Sequence, residues 1–424
     1  MKYFLFQLLL LLTFSFCWSQ HSSLKTDLDI ADKDGVFLKN EAVQTFLTIE
    51  NTSNFEIEFT IKWSILTDDW KPLKTMPISS KIKPLQTLRM ECPYFSFPNH
   101  GFYRIRTEIS IPNEPKITHQ RVIGIDPEKI IIPIDRKEDF YSFWENARKE
   151  LSIIKPEYKI TSVNREKKST TNLYKVSMKS YQGKTVKGWL QVPKKKGVYP
   201  ALLRVPGYQE NLEPIDSVGD MIIFSFNTRD HGESDDSEGE RSWDMWVRGL
   251  DKKENYYYKG LFLDCIRALD YLTTRVDIDS TRIAIWGGSQ GGGLSFSTAA
   301  LDHRIALCIA DIPYMGDYTS YFEITYWQEI STWLMEHPES SWKTILNTLT
   351  YYDINNFAEN IICPVWMGIG LQDDICPPST SFSAFNRVTT DKSFTIYKNA
   401  YHEQPKSHYE RRFIQLRQFF NRKK

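Results

Sequence analysis

Residues 283–293 read Ile-Ala-Ile-Trp-Gly-Gly-Ser-Gln-Gly-Gly-Gly, and the interpretation of the whole chain starts from this stretch. An apolar run typical of a buried strand meets Ser289, which is flanked by glycines. The pattern matches Gly-x-Ser-x-Gly, the nucleophile elbow, in which a serine lies on a sharp turn between a strand and a helix. Glycines let such a turn close around a serine in a strained backbone conformation. An ordinary glycine-rich turn is the alternative, and the remaining sequence has to decide between the two.

The bulk composition favours a globular protein with a neutral partner. At 424 residues the chain is too long for one ordinary core, which favours two domains. It carries 53 basic and 53 acidic residues, so its formal net charge is zero. This balance argues against binding of nucleic acid or of a charged membrane surface. A hydrophobic content of 41% is ample for globular cores.

Residues 1–19 have the features of an export signal. Lys2 precedes an apolar run, Phe4 to Phe16, that is too short to span a bilayer comfortably. We expect cleavage before Gln20 and a mature protein that is periplasmic or extracellular, without a membrane span. Lipid anchoring at Cys17 is the weaker alternative, because a bulky phenylalanine precedes it. The remaining cysteines lack zinc-type spacing and are expected to be buried thiols: Cys92, Cys265, Cys308, Cys363 and Cys376.

Residues 20–125 are predicted to form a small β-sandwich of immunoglobulin type. Three runs rich in β-branched and aromatic residues predict strands, at Ala42 to Ile49, Glu56 to Ser64 and Phe102 to Ser110. Turn-forming residues separate these runs, as in sandwich folds. A packing domain and a carbohydrate-binding module both fit this pattern, and the packing role is favoured.

The pattern changes near residue 126, where prolines and charged residues interrupt the β signal. Glu138 to Leu151 then shows helical spacing of its apolar residues, and Tyr174 to Met178 with Gly188 to Val192 predicts a strand pair. Six short apolar runs follow, typical of strands buried on both faces of a parallel sheet: Pro200 to Val205, Met221 to Asn227, Arg282 to Trp286, Ile305 to Ala310, Val365 to Ile369 and Phe394 to Tyr397.

Helical segments separate these strands, and the clearest is Tyr258 to Thr274 with its single apolar stripe. Alternation of strands and helices predicts an α/β fold with a mostly parallel sheet for residues 126–424. In such a sheet the functional residues lie beyond the carboxyl ends of the strands. This rule indicates where the partners of the serine should be.

A serine hydroxyl becomes an effective nucleophile when a base takes its proton and an acid orients that base. In α/β-hydrolases the acid and the histidine follow the serine in that order. His402 comes just after the last predicted strand, where a loop can bring it over the serine, and His408 is its rival. Asp373 directly follows the strand Val365 to Ile369, with Asp374 as the alternative. His303 is expected at the opposite edge of the sheet.

Two backbone N–H groups are candidates for an oxyanion hole, in which preorganised donors stabilise a developing negative charge. One belongs to Gln290, directly after the serine, and the other to Tyr208, in the loop after the strand at residues 200–205. A metal site at His402, Glu403 and His408 is disfavoured, because this spacing does not fit one helical face. We expect neither a metal nor a cofactor.

Together these residues resemble the acetyl xylan esterase and cephalosporin C deacetylase family, carbohydrate esterase family 7, from about residue 126 to the C-terminus. The resemblance rests on the following motifs: Phe140 to Trp144, Gly207-Tyr208, Tyr256-Tyr257-Tyr258 leading into Leu263-Asp264, Gly287 to Leu294, Gly370 to Asp373 running into Cys376 to Thr380, and His402-Glu403. It implies an α/β-hydrolase with Ser289 as nucleophile, Asp373 as acid, His402 as base, and Tyr208 and Gln290 at the oxyanion hole. It also implies deacetylation of small O-acetylated sugars through an acetyl-enzyme.

The sequence departs from the family pattern in two places. The family usually carries Arg-Gly-Gln where this chain has Arg229, Asp230 and His231, and a structural role is expected for Arg229. The β-region before Asp126 is outside the family's usual core. Members are often ring-shaped hexamers, so the resemblance points slightly towards a homo-oligomer.

The sequence thus favours a secreted serine esterase acting on acetylated xylo-oligosaccharides or other small acetylated sugars. Two alternatives stay open at this level. One is a serine peptidase of the same fold, and the other is a carbohydrate-binding protein with an inactive hydrolase domain.

Overall fold

The structure is a computed structural model that describes residues 23–32, 34–165, 169–215, 219–235 and 245–421. The predicted export signal, its cleavage site before Gln20 and Cys17 lie outside these residues. Among the helices of the described ranges, none has both the length and the apolar character needed to cross a membrane.

Two small β-sheets occupy the described part of residues 24–125. Their strands are β1 (Leu24–Ile30), β2 (Val36–Phe37), β3 (Thr45–Asn51), β4 (Ile57–Thr67), β5 (Pro72–Ile82), β6 (Thr87–Glu91), β7 (Gly101–Ser110) and β8 (Ile117–Ile125). One sheet has the order β1-β3-β6 and the other β2-β8-β7-β4-β5. Neighbouring strands are antiparallel apart from the short β2–β8 pair. The three strands predicted from sequence in this region are therefore confirmed.

The two sheets bury one face each against a shared apolar core. Along β3 and β4 buried residues alternate with more exposed ones, as expected for strands with one face on a core. Leu47 and Ile49 from the smaller sheet and Trp63 and Ile105 from the larger one belong to the same buried cluster. Two such sheets agree with the predicted β-sandwich, whose immunoglobulin type stays a prediction.

A nine-stranded sheet dominates the described part of the chain beyond residue 126. Its strands are β9 (Lys159–Val163), β10 (Thr171–Lys179), β11 (Thr185–Pro193), β12 (Tyr199–Arg204), β13 (Ile222–Asn227), β14 (Ile278–Gly288), β15 (Leu307–Asp311), β16 (Val365–Gly370) and β17 (Lys392–Tyr397). The order is β17-β16-β15-β14-β12-β13-β11-β10-β9. Strands β12 to β17 pair in parallel, and β9 to β11 add an antiparallel edge. The predicted α/β-hydrolase sheet is confirmed.

Helices cover both faces of this sheet. They are α1 (Phe140–Ser152), α2 (Tyr257–Thr273), α3 (Gln290–Leu301), α4 (Tyr318–Ile324), α5 (Gln328–Glu336), α6 (Trp342–Leu349), α7 (Ile354–Phe357), α8 (Pro378–Arg387) and α9 (Lys406–Asn421). Alternate residues of β14 show the two faces: Ile283 and Ile285 join the large core, whereas Ala284 and Trp286 pack in a cluster with Leu416 of α9. The central strands are therefore buried on both sides, which explains their continuous apolar sequences.

The chain order brings the expected functional residues to one edge of the sheet. Strand β14 lies next to β12 while β13 lies on the other side of β12, so the winding direction reverses at this point. Ligands of open α/β sheets bind beyond the carboxyl ends of the strands at such a reversal. Strands β14, β16 and β17 all end at this edge and are followed by Ser289, Asp373 and His402.

Candidate active site

Ser289 occupies the turn between β14 and α3 in a strained conformation, with φ of 56° and ψ of −122°. Non-glycine residues rarely adopt such angles unless the surroundings impose them. The Ser289 N–H donates to the Asp311 carbonyl (3.0 Å), and its own carbonyl accepts from Tyr314 N–H (3.0 Å). A Cβ at Gly287 would lie 2.5 Å from the Gly291 carbonyl, so the tight turn requires glycine there. The turn thus has the geometry that a nucleophile elbow requires.

The structure brings His402 and Asp373 to this serine. His402 lies in the loop between β17 and α9, with Nε2 2.9 Å from Ser289 Oγ and Nδ1 2.9 Å from Asp373 Oδ2. Since a carboxylate accepts, Nδ1 carries the proton and Nε2 is left to accept the serine O–H. This is the tautomer that a serine–histidine–aspartate arrangement needs.

Asp373 is held by hydrogen bonds on both oxygens. Its Oδ1 accepts from the backbone N–H groups of Ile375 (2.9 Å) and Cys376 (2.8 Å), while Oδ2 faces His402. The residue is only 2% exposed. A buried carboxylate with its acceptor sites filled in this way has a fixed orientation.

The rival residues from the sequence lie elsewhere. His408 is buried on α9, where its Nε2 is 2.8 Å from Asp311 Oδ2 and its Nδ1 is 3.0 Å from the Tyr397 hydroxyl. Asp374 is exposed to solvent. His303 precedes β15, at the amino end of that strand, and contacts the Asn360 carbonyl. His408 therefore forms a buried pair with Asp311 rather than contacting the serine.

A cavity of about 290 Å³ opens beside the serine. It is lined by Gly207, Tyr208, Trp246, Tyr258, Ser289, Gln290, Tyr314, Trp327, Ile375, Cys376 and His402. Both residues predicted for the oxyanion hole, Tyr208 and Gln290, are among them. Gln290 is the first residue of α3, so its backbone N–H has no acceptor within its own helix. The wall is largely aromatic and suits a small, uncharged group.

Several of these wall residues were missed by the sequence analysis. Trp246 comes from a segment without a periodic apolar pattern, and Tyr258 was assigned to helix packing. Trp327 stands at the centre of the wall, with ring centroids 5.1 Å from Trp246 and 6.0 Å from Tyr314. Burial raises the pKa of the Tyr258 phenol well above its ordinary value, so this hydroxyl stays a donor.

Cys376 lies directly beside the serine, with Sγ 4.0 Å from Ser289 Oγ. Burial raises the pKa of this thiol well above its usual value, and the Asp373 carboxylate acts in the same direction. The thiol therefore stays protonated and packs as a small apolar group. All five described cysteines are buried and free of disulfides, which confirms the expected thiols.

The side chain of Gln290 is fixed by two buried residues. The Tyr258 hydroxyl donates to Gln290 Oε1 at 2.8 Å. His231 Nδ1 lies 2.8 Å from the Arg229 carbonyl, so Nδ1 carries the proton and Nε2 can accept from Gln290 Nε2 at 3.2 Å. His231, which the sequence marked only as a departure, thus helps to hold the residue that follows Ser289.

Arg229 has the structural role expected from sequence. Its Nε and Nη2 each lie 2.8 Å from an oxygen of Asp264, and Nη2 also donates to the Tyr181 carbonyl. Both partners are buried. Asp230 instead forms surface ion pairs with Lys184 (3.3 Å) and Arg248 (3.2 Å). In the ranges that the structure describes, no group of three or more His, Cys, Asp or Glu residues is arranged to hold a metal ion.

Comparison with known proteins agrees with this geometry. Residues 133–419 match the acetyl xylan esterase (AXE1) family. Acetyl esterase Axe7A of Xylanibacter ruminicola is 30% identical over 315 residues, which cover 70% of this chain and 69% of that protein. Among solved structures, the acetyl xylan esterase of Paenibacillus sp. R4 is 28% identical with a TM-score of 0.62 and covers 69% of this chain and 98% of its own.

A second solved structure has the same fold. Acetyl xylan esterase 1 from Thermoanaerobacterium sp. JW/SL YS485 superimposes with a TM-score of 0.63 at 24% identity, covering 68% of this chain and 96% of its own. The family match spans the nine-stranded sheet and all three strand ends that carry Ser289, Asp373 and His402. The chain therefore belongs to the acetyl xylan esterase family and is a carboxylic ester hydrolase.

Proposed function

We propose that the protein is a serine esterase that removes acetyl groups from small O-acetylated sugars, with Ser289 as nucleophile, His402 as base and Asp373 as acid. The observation that carries the proposal is the continuous hydrogen-bonded series from Ser289 Oγ through the His402 ring to Asp373, with 2.9 Å at each junction. Acetylated xylo-oligosaccharides or other small acetylated sugars are the proposed substrates, because similar proteins are named acetyl xylan esterase and acetyl esterase.

In the first half-reaction Ser289 Oγ attacks the acetyl carbonyl carbon while His402 Nε2 takes the hydroxyl proton. The carbonyl oxygen becomes an oxyanion between the N–H groups of Tyr208 and Gln290. His402 then returns its proton to the departing sugar oxygen as the ester C–O bond breaks. The products are a free sugar hydroxyl and an acetyl-enzyme.

In the second half-reaction water takes the place of the sugar. His402 removes a proton from the water as its oxygen attacks the acetyl carbon, and the same two N–H groups hold the new oxyanion. Breaking of the bond to Ser289 Oγ, with the proton delivered from His402, releases acetic acid and restores the enzyme. Asp373 stabilises the imidazolium in both halves, since its Oδ2 faces Nδ1.

The direct test is acetate release from acetylated xylo-oligosaccharides. Ser289→Ala should lower kcat by several orders of magnitude, because loss of the nucleophile disables the triad as a unit. Ser295→Ala is the matched control: it lies one turn further along α3, and its hydroxyl donates to the helix carbonyl of Gly291 (2.8 Å). Acetate release by Ser289→Ala near the wild-type rate would refute the proposal, as would hydrolysis of aminoacyl amides without any action on acetyl sugars.

We also propose that the protein is exported after cleavage before Gln20, as a chain divided into a β-domain (20–125) and a hydrolase domain (126–424). N-terminal sequencing of the protein from its native host should begin at Gln20. A first residue at Cys17 carrying lipid would favour the anchored form instead, and an intact Met1 would contradict export. A homo-oligomer, by resemblance a hexamer, stays a prediction that sedimentation would test.

A further inference from the structure

We propose that the N-terminal β-region (strands β1 to β8, residues 24–125) is a working part of the active site, because it fixes the loop that presents Asp373. This acid loop, residues 370–379, runs from the end of β16 to the first turn of α8. The proposal rests on the assignment of Asp373 as the catalytic acid. The family match begins only at residue 133, so the β-region lies outside it.

The first contact is made by Gln372, the residue directly before Asp373. Its Oε1 accepts from Val122 N–H of β8 at 2.8 Å, and its Nε2 donates to the Val122 carbonyl (3.2 Å) and the Lys398 carbonyl (2.7 Å). Strand β2 pairs with β8 only at Gly124 and Ile125. Beyond the end of β2, the Gln372 amide therefore bonds to the edge of β8. It exchanges two hydrogen bonds with Val122, as a peptide group of a neighbouring strand would.

The second contact lies on the other side of Asp373. The hydroxyl of Ser379, in the first turn of α8, donates to the carboxylate of Asp68 in the turn between β4 and β5. Asp68 is itself held by Arg104, whose Nε donates to the Asp68 carbonyl (2.9 Å) and whose Nη2 donates to the carboxylate (2.8 Å). Arg104 is only 3% exposed, so the anchor for Ser379 is fixed from within the β-region.

The third contact reaches the acid loop from the cavity side. Trp70, in the same turn as Asp68, donates from Nε1 to the Ile324 carbonyl at the end of α4 (2.7 Å). One turn earlier on α4, the Tyr321 hydroxyl donates to the Ile375 carbonyl of the acid loop (3.0 Å). Tyr321 also accepts from Trp327, which lines the cavity. The β-region thus supports both the acid loop and the wall beside it.

These contacts bear on catalysis because Asp373 has to keep its carboxylate aligned with His402 Nδ1. Misplacement of a catalytic group by about 1 Å can cost on the order of 100-fold in rate. The loop is bonded to the β-region on both sides of Asp373, at Gln372 and at Ser379. Gln372, Ser379 and Trp70 are accordingly positioning residues that act through Asp373.

The experiment compares variants of the full-length enzyme on a soluble acetyl ester. Gln372→Met removes both bonds to Val122 together with the bond to the Lys398 carbonyl. Ser379→Ala removes only the hydroxyl that bonds to Asp68 of the β-region, a change too small to unfold the protein. The matched control is Asn386→Leu near the end of α8: its amide donates to the Pro127 and Ile130 carbonyls (2.9 Å each), just after β8, without touching the acid loop. Thermal melting measures the stability of each variant. The fraction of chains that react with an organophosphate gives the fraction with a folded active site.

Per folded active site, we expect Gln372→Met to lower kcat about 10-fold or more, and Ser379→Ala about threefold, with KM changed less than about twofold. Asn386→Leu should lower the melting temperature but leave kcat within about twofold of wild type. In an Asp373→Asn background, Gln372→Met should cause no further loss of kcat, because both changes act through one carboxylate.

Any of three results would overturn the proposal. The first is wild-type kcat in both Gln372→Met and Ser379→Ala, and the second is an equal loss of kcat in Asn386→Leu and Gln372→Met. The third is an additive loss in the Asp373→Asn background. Ser289→Ala, assayed in the same experiment, distinguishes failure of the proposed triad from failure of the proposed role of the β-region. If it is inactive while the Gln372 and Ser379 variants are fully active, the triad stands and only the role of the β-region fails; if it is active, both fail.

Discussion

In the proposed mechanism Gln290 contributes two different groups to the site. Its backbone N–H, at the start of α3, is the proposed donor to the oxyanion, while its side chain is bonded to Tyr258 (2.8 Å) and His231 (3.2 Å) and is fully buried. A donor can stabilise a transition state without reorganisation only if it is held in advance. The side-chain bonds provide that support, since they anchor the residue whose N–H is used.

We predict that Gln290→Met lowers kcat about 10-fold with little change in KM, because the N–H remains but its support is lost. His231→Gln should keep most of the activity, since a glutamine oxygen can accept from Gln290 Nε2, whereas His231→Ala should behave like Gln290→Met. Steady-state kinetics on an acetyl ester provide the measurement. Equal activity in His231→Ala and wild type would show that this support is unnecessary.

A functional residue can be predicted from the sequence when its position directly after a strand places it in the site. It is harder to predict when its role depends on a contact with a residue far away in the sequence. Ser289, Asp373 and His402 follow strand ends, so a parallel sheet brings them to one edge whatever the rest of the chain does. His231 gave a weaker signal, because its partner Gln290 is 59 residues away and the contact depends on side-chain geometry. Only its departure from the family pattern marked it.

At the scale of elements, one prediction concerns the segment between α4 and α6, which contains α5. The segment Tyr326 to Trp342 is rich in tryptophan, with Trp327, Trp333 and Trp342. In the structure Trp327 lines the cavity, whereas Trp333 stacks on His337 with centroids 4.2 Å apart. One tryptophan of the segment therefore limits the cavity.

We predict that octanoyl esters are hydrolysed with kcat/KM at least about 100-fold below that of acetyl esters, because Trp327 and the other aromatic side chains form the wall of the cavity in which we place the acyl group. Trp327→Ala should reduce the ratio of the acetyl to the octanoyl kcat/KM, because it raises kcat/KM for the octanoyl ester. A series of acyl p-nitrophenyl esters measures both effects. Comparable turnover of acetyl and octanoyl esters by the wild type would contradict the prediction.

The link between the β13 end and helix α2 depends on the buried Arg229–Asp264 pair. We predict that Arg229→Met lowers the free energy of unfolding by about 3–5 kcal/mol, since it leaves the Asp264 carboxylate buried without its cation. Lys149→Met is the control, because its ion pair with Glu145 is exposed to solvent and contributes little to stability. Urea unfolding followed by fluorescence distinguishes the two, and similar midpoints for both variants would show that the pair is unimportant.

The bounds of strands and helices were predicted best for elements that bury one face or both faces. Strands β12 to β17 and helix α2 were expected within a few residues, because apolar periodicity marks them. Strand β5 was not expected: its residues are exposed or half-buried along most of its length, so no alternation marks it. Strand β2 has only two residues and gives no pattern at all.

At the scale of the molecule, the β-region and the α/β sheet share one continuous apolar cluster. Phe102 of β7 packs against Phe382 of α8, with ring centroids 5.6 Å apart. The sequence predicted both parts but not this association, because its hydrogen bonds join residues as far apart as Val122 and Gln372. A contact between a side chain and a backbone group far away in the sequence produces no periodic pattern from which it could be predicted.

The central claim is that Ser289 is the nucleophile, and organophosphate labelling tests it most directly. We predict that diethyl p-nitrophenyl phosphate adds one phosphoryl group per chain, on the peptide that contains Ser289, with loss of acetyl esterase activity in proportion to labelling. Ser289→Ala should take up no label. Labelling of another serine, or full activity in a protein labelled completely at Ser289, would contradict the account.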